Sequence, residues 1–283
     1  MKTPSFFMVG ILLLGGIAGC GAEGQVAGSA EPSVVTGFFP SGDIQLSYQL
    51  EKPAGRGPFP AVVVGHGSGE TTKQACRFLV QGFLQRGYAV LCYDKRGVGQ
   101  STGTYVNVGT RNSEERFPIL AADMAAGARF LRTERDIDGK RIGLVGNSQA
   151  GWIIPLAARD AKPAFMIILV GPTVSVGEEM YYSQFAEKTT TPLETLAGVL
   201  TQFTGPHGFD PRSVLSTLDV PGLWLLGGED RSIPTPETVA ILDDFIRKGR
   251  PFARVVYASS GHDLTRTADI WPDVDRWLAT LGR

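Results

Sequence analysis

The amino-acid sequence predicts an α/β fold, a mostly parallel central sheet with helices on both faces, on three observations. Short apolar runs, several of them β-branched, recur at Ala61 to Val64, Tyr88 to Tyr93, Arg141 to Val145, Phe165 to Val170, Leu223 to Leu226 and Ala253 to Ala258. Segments with helical spacing alternate with them, and that order builds a parallel sheet covered on both sides. The chain has 283 residues, 43% hydrophobic and 19% charged, enough for one large domain with a substantial core.

The same composition removes several classes of function. The formal net charge is -1 and the basic residues do not cluster, so nucleic acid is not an expected partner. Internal repeats are absent, which argues against solenoids and propellers.

The first 19 residues read as a signal rather than as part of the fold. Lys2 supplies a basic start, Phe6 to Ile17 an apolar run, and Ile17, Ala18, Gly19 and Cys20 a small-residue site that ends in cysteine. The run is short and broken by glycine, too poor for a comfortable membrane span. The site resembles a bacterial lipobox, which implies lipidation at Cys20 and a partner in the lipid bilayer. The protein is then expected on the cell envelope, on the outer membrane in a Gram-negative host. Residues 20–32, rich in Gly, Ala and Ser, form a flexible tether, and residues 33–283 form the folded domain.

Within that domain Val34 to Phe39 and Ile44 to Leu50 predict two strands joined at Pro40 to Asp43, a hairpin at a sheet edge. Ala61 to Val64 predicts a buried strand that ends in His66-Gly67-Ser68-Gly69. Gln74 to Arg86 has helical spacing, Gly87 stops it, and Tyr88 to Tyr93 follows as a strand. The glycine-rich loop Asp94 to Gly103 comes next, then a long helix over Glu114 to Arg132. A strand from Arg141 runs into the turn Gly146-Asn147-Ser148-Gln149-Ala150. The helix beyond it, to about Arg159, contains Pro155, which should kink it. After the strand at Phe165 to Val170, an insertion over about 172–218 lacks strand runs and reads as a small helical lid. Leu223 to Leu226, Val239 to Lys248, Ala253 to Ala258 and Ile270 to Leu281 then restore strand, helix, strand, helix.

Ser148 sits at the apex of a strand–turn–helix, where small residues two before and two after it allow the backbone to turn sharply; Gly146 and Ala150 meet that need. A serine hydroxyl needs a base within hydrogen-bond reach and a third group to orient that base. His262 lies just after the last strand, and Asp230 just after the strand before it. Their order, Ser148, Asp230, His262, is that of nucleophile, acid and base in one large hydrolase class. Glu229 and Asp263 compete with Asp230 as the acid. His207 lies in the insertion without a strand before it, and His66 is better suited to orienting its own loop.

Five ordered motifs carry a resemblance: HGSG at 66–69, YDKRGVGQSTG at 93–103, GNSQAGW at 146–152, GGEDRSIP at 227–234 and SGHD at 260–263. With them the chain from about residue 33 resembles the α/β-hydrolases, in the broad bacterial group of dienelactone-hydrolase-like and prolyl-oligopeptidase-like (S9) proteins. The resemblance implies an α/β-hydrolase fold and a serine hydrolase that needs no metal or organic cofactor. It implies Ser148 as nucleophile, His262 as base and Asp230 as the orienting acid. It also implies an oxyanion hole from the backbone of Gln149 and of Ser68, with Gly67 allowing close approach.

The expected chemistry is cleavage of a carboxylic ester through an acyl-enzyme, on a small-molecule ester or a short peptide. A peptidase, amidase or thioesterase would use the same groups, and a ligand-binding lipoprotein without chemistry is the reading from another class. Met180, Tyr181, Tyr182 and Phe185 either line a pocket in the lid or, the better reading, pack it onto the domain. Asp94 and Arg96 are expected in structural hydrogen bonds. Cys76 and Cys92 read equally well as a disulfide and as two buried thiols.

Overall fold

A computed structural model describes residues 31–186, 196 and 198–282. The signal segment, Cys20 and nearly all of the tether lie outside the described residues. Eight strands form one sheet in the order β1-β2-β4-β3-β5-β6-β7-β8. They are β1 (Ser33–Ser41), β2 (Ile44–Lys52), β3 (Phe59–Gly65), β4 (Ala89–Tyr93), β5 (Ile137–Asn147), β6 (Phe165–Leu169), β7 (Gly222–Gly227) and β8 (Phe252–Tyr257). The hairpin of β1 and β2 joins antiparallel through β2 to β4, and every pair from β4 to β8 is parallel. This is the α/β-hydrolase fold that the motifs imply.

The helices divide between the faces. On one, α2 (Ser113–Leu131), α3 (Ala150–Ala161) and α6 (Thr235–Arg247) cover a core that contains Phe39, Phe117, Met124, Leu144 and Trp224. On the other, α1 (Arg77–Leu84) and α8 (Trp271–Thr280) cover Val62, Val90, Phe165 and Leu225. The whole of β4, β6 and β7, with Ala61–Gly65 of β3 and Ile142–Gly146 of β5, is therefore buried, and each fully buried Leu or Phe stabilises the fold by about 1.5–3 kcal/mol. The β1 edge differs: Val34, Val35 and Phe38 are exposed there.

Local departures from the sequence expectations have physical causes. Strand pairing carries β1 through Pro40 to Ser41, so that the hairpin turns on Gly42 and Asp43, with Gly42 at φ 60°. The helix expected from Gln74 begins as a 3-10 turn over Lys73–Cys76 before α1. α6 starts at Thr235, four residues earlier than expected, with a proline in its first turn where no N–H is missed. Pro155 does not interrupt α3, which runs through to Ala161 with Pro155 buried. Between β6 and β7 lie α4 (Val176–Ala186), a 3-10 turn at Val199–Gln202 and α5 (Arg212–Leu215); residues 187–195 and 197 of this segment lie outside the described ones. The last short helix, α7, spans Leu264–Thr267.

Candidate active site

Four strands end at one place. Ser148 follows β5 directly and has φ 53°, in the left-handed region that a side chain disfavours. Strain of that kind costs about 1–3 kcal/mol and persists only where the surroundings enforce it. Here the Ser148 N–H donates to Leu169 O at 2.9 Å, and Ser148 O accepts from Gly151 N–H at 2.8 Å. The turn is so tight that a Cβ on Gly146 would lie 2.6 Å from the Ala150 Cβ, so glycine is required at 146 while alanine fits at 150.

The structure brings Asp230 and His262 to Ser148. The Ser148 hydroxyl lies 3.1 Å from His262 Nε2, and His262 Nδ1 lies 2.8 Å from Asp230 Oδ2. An ionised carboxylate can only accept, so Nδ1 carries the ring hydrogen and Nε2 is left to accept from the serine. Asp230 is buried, and its Oδ1 accepts from the N–H groups of Ser232 and Ile233, both at 2.8 Å. Of the two acids that competed with Asp230 in the sequence, Asp263 caps α7, its carboxylate accepting from the Thr265 N–H at 3.1 Å, and it is Asp230, not Glu229, that meets His262. His207 is engaged apart from the three, with Nδ1 3.0 Å from Ser175 Oγ.

Ser68 and Gln149 share with Ser148 a cavity of about 140 Å³, whose apolar wall includes Phe117, Trp152 and Met180. Gln149 stands at the N-cap of α3, where a helix leaves its first N–H groups unpaired. Gly67 borders a second cavity, of about 360 Å³, together with Ser68, Asn147 and His262. A Cβ on Gly67 would lie 3.6 Å from the Ser148 Cβ, so this loop passes close against the serine.

Lys95 was not singled out by the sequence. It is 4% exposed, and its ammonium donates to Gly67 O, to Gly69 O at 3.0 Å and to Gln149 Oε1 at 3.2 Å. Gly67 O and the Ser68 N–H belong to one planar peptide, in which they point in opposite directions. A cation that holds the carbonyl therefore aims the Ser68 N–H, and through Gln149 it ties the loop to the turn that carries Ser148. Burial pulls the Lys95 ammonium down to about 8, because carbonyl dipoles replace water without a carboxylate partner. The only hint in the sequence was a lysine inside a glycine-rich loop, and that pattern alone more often marks a solvated residue.

The flanking charges behave as expected. Asp94 accepts from Lys73 Nζ at 2.8 Å and from the N–H groups of Lys73 and Gln100, while Arg96 grips Asp123 through two nitrogens at 2.6 and 2.7 Å. His66 Nε2 donates to Tyr93 O, which anchors the start of its loop to the end of β4. Tyr182 is buried, and its hydroxyl donates to Asp230 O at 3.0 Å; Tyr181 packs on Phe185 and Phe203. The aromatics of this segment thus mostly pack, and Met180 faces the smaller cavity. Cys76 and Cys92 are both free and buried.

The sheet, the strained turn after β5 and the loops converging on it define an α/β-hydrolase. The chain belongs to the serine aminopeptidase S33 family, whose model matches residues 57–207, more than half of the chain. The α/β-hydrolase part of the resemblance drawn from the motifs thus stands, with S33 as the family shown.

The chain is 26% identical to esterase EstD of Thermotoga maritima over 218 residues, 66% of this chain and 50% of that protein. It is 28% identical to the quorum-quenching protein AidA of Acinetobacter baumannii over 130 residues, 46% of this chain and 41% of that one. The matches therefore span half or less of these relatives. Among solved structures, the esterase Pf2001 of Pyrococcus furiosus superposes with a TM-score of 0.66 at 19% identity, covering 89% of this chain and 92% of that one. The acylaminoacyl peptidase of Pyrococcus horikoshii gives a TM-score of 0.62 at 17% identity, covering 89% and 41%. At these identities the structural likeness speaks for the fold alone.

Proposed function

We propose that the protein is a serine hydrolase that cleaves carboxylic esters of small molecules through an acyl-enzyme. The single observation that carries the reading is the unbroken chain of hydrogen bonds from Ser148 through His262 to Asp230. Ser148 attacks the carbonyl as its proton passes to His262 Nε2, and Asp230 holds the imidazole and favours the imidazolium that forms. The N–H groups of Gln149 and Ser68 receive the oxyanion. His262 returns the proton to the leaving alcohol, and water then repeats the sequence on the acyl-serine. The likeness to EstD supports an ester as the bond.

A fluorophosphonate should label Ser148, and esters should compete for it better than peptides or thioesters. Folded protein in which Ser148 resists labelling would overturn the mechanism. One observation favours a second reading, an aminopeptidase: Glu179 brings a carboxylate to the wall of the smaller cavity, where a substrate amine could pair with it. In that case peptides with a free amino terminus win the competition, and Glu179→Gln weakens them selectively. We also propose that the protein is exported and anchored by lipid at Cys20. Cys20→Ser should then release it from the membrane fraction or block its processing, and unchanged retention contradicts the anchor.

A further inference from the structure

The larger cavity carries chemistry that hydrolysis does not use. Its wall includes His66, Gly67, Ser68, Cys76, Phe78 and His262. Cys76 is 5% exposed, with Sγ 3.7 Å from His66 Nδ1. The Tyr93 carbonyl can only accept, so His66 Nε2 must carry a hydrogen, and Nδ1 of the neutral ring is a lone pair. That lone pair faces the thiol. Transfer of the thiol proton to Nδ1 leaves a thiolate beside an imidazolium, the arrangement that activates cysteine nucleophiles.

Cys92 is also buried, on β4. Its thiol is the largest influence on Cys76 and lowers its proton affinity; burial opposes it, and His66 lowers it further, against a smaller opposing effect of Asp94. Cys92 moves the other way: burial raises it first, then the neighbouring Cys76, with Glu51 raising it and Arg77 lowering it by smaller amounts. The two shifts run in opposite directions, so that of the two thiols Cys76, the one that faces His66, gives up its proton the more easily.

We propose that Cys76 is a thiol-modification site, a nucleophile that takes small apolar disulfides entering the larger cavity and seats the adduct against the HGSG loop and His262. The thiolate attacks one sulfur of the disulfide, a Cys76–sulfur bond forms as the original sulfur–sulfur bond breaks, and the departing thiolate takes its proton from His66. No net oxidant beyond the disulfide is consumed. Because the cavity borders Ser68 and His262, the adduct obstructs hydrolysis, and a thiol that reduces it restores the enzyme. This consequence rests on the serine-hydrolase reading; the reactivity of Cys76 does not.

The test uses 4,4′-dithiodipyridine on the folded full chain, with peptide mass mapping to separate Cys76 from Cys20. Modification at Cys76 is expected, as the pyridylthio adduct. Between pH 6.5 and 9 its rate should rise less than about threefold, whereas an ordinary thiol of pKa about 8.5 rises about 75-fold. Ester turnover should fall at least tenfold on modification and return with dithiothreitol, while Cys76→Ala, or Cys76→Ser if the alanine variant folds poorly, stays active and insensitive. An unmodified Cys76 in folded protein, a pH profile that follows the ordinary thiol, or full turnover with Cys76 modified would each overturn the proposal. Absence of turnover in untreated protein sinks the esterase reading instead, and the adduct with its pH profile still decides whether Cys76 is the site.

Discussion

The two halves of the candidate site are held by different physics. Ser148, Asp230 and His262 are joined by short directional hydrogen bonds between side chains, each at the end of its own strand. Across from them the HGSG loop is held by a buried cation, Lys95, on carbonyl oxygens, with His66 anchoring its start. The contrast extends to the two lysines of this region. Lys73 is buried on a carboxylate, Asp94, so its charge is matched; Lys95 has only dipoles, and its proton affinity drops. A directional triad fails all at once when one member is removed, whereas a clamp made of a titrating cation should loosen gradually and with pH.

The largest effect should come from the triad. Ser148→Ala should lower ester kcat by about 10⁴-fold or more with the melting temperature nearly unchanged, measured on p-nitrophenyl esters and by thermal unfolding. Asp230→Asn keeps the shape but can stabilise the wrong ring tautomer, and a loss of about 10³- to 10⁴-fold is expected. If either variant kept more than a tenth of the activity, the triad half would not be the chemical half.

Lys95→Met sharpens the comparison, with kcat expected to fall about 10- to 100-fold, below the full cost of a lost oxyanion donor, and KM changed less. A purely structural lysine would not move the pH profile, so the profile is the decisive readout. In the unmodified protein kcat should decline as pH rises through about 8, where Lys95 loses its proton. The decline should vanish in Lys95→Met and move to higher pH in Lys95→Arg.

Stability has the opposite sign. The unfolded chain keeps the lysine proton to about 10.4, so between about 8 and about 10.4 the unfolded state binds more protons, and this group makes the fold more stable as pH rises. The smallest effect is expected from Tyr182→Phe, which removes one hydrogen bond to the Asp230 carbonyl. It should cost about 1 kcal/mol in denaturant unfolding and no more than a few-fold in kcat.

Legibility followed the same division. β4, β6 and β7 and the second half of β5 are continuous apolar runs, and alternation with helices allows few topologies, so the sheet could be read before the structure. The placement of Asp230 and His262 was readable from order alone, because strand ends converge whatever the intervening chain does. Their hydrogen-bond lengths were not. The segment between β6 and β7 was recognisable only as lacking strands, since packing against the domain, and not periodicity, decides where Tyr182 and Met180 point.

Local rules thus determined the fold class, the strained turn at Ser148 and the order of the three converging side chains, because these depend on periodicity, residue size and chain order. The tertiary structure alone decided that Lys95 holds the HGSG loop, that Cys76 meets His66 beside a cavity, and that Asp230 rather than Glu229 or Asp263 faces His262. Each of those is a contact between loops distant in sequence or a choice among neighbours of equal chemistry, and only the packed backbone sets which groups lie within 3 to 4 Å of each other.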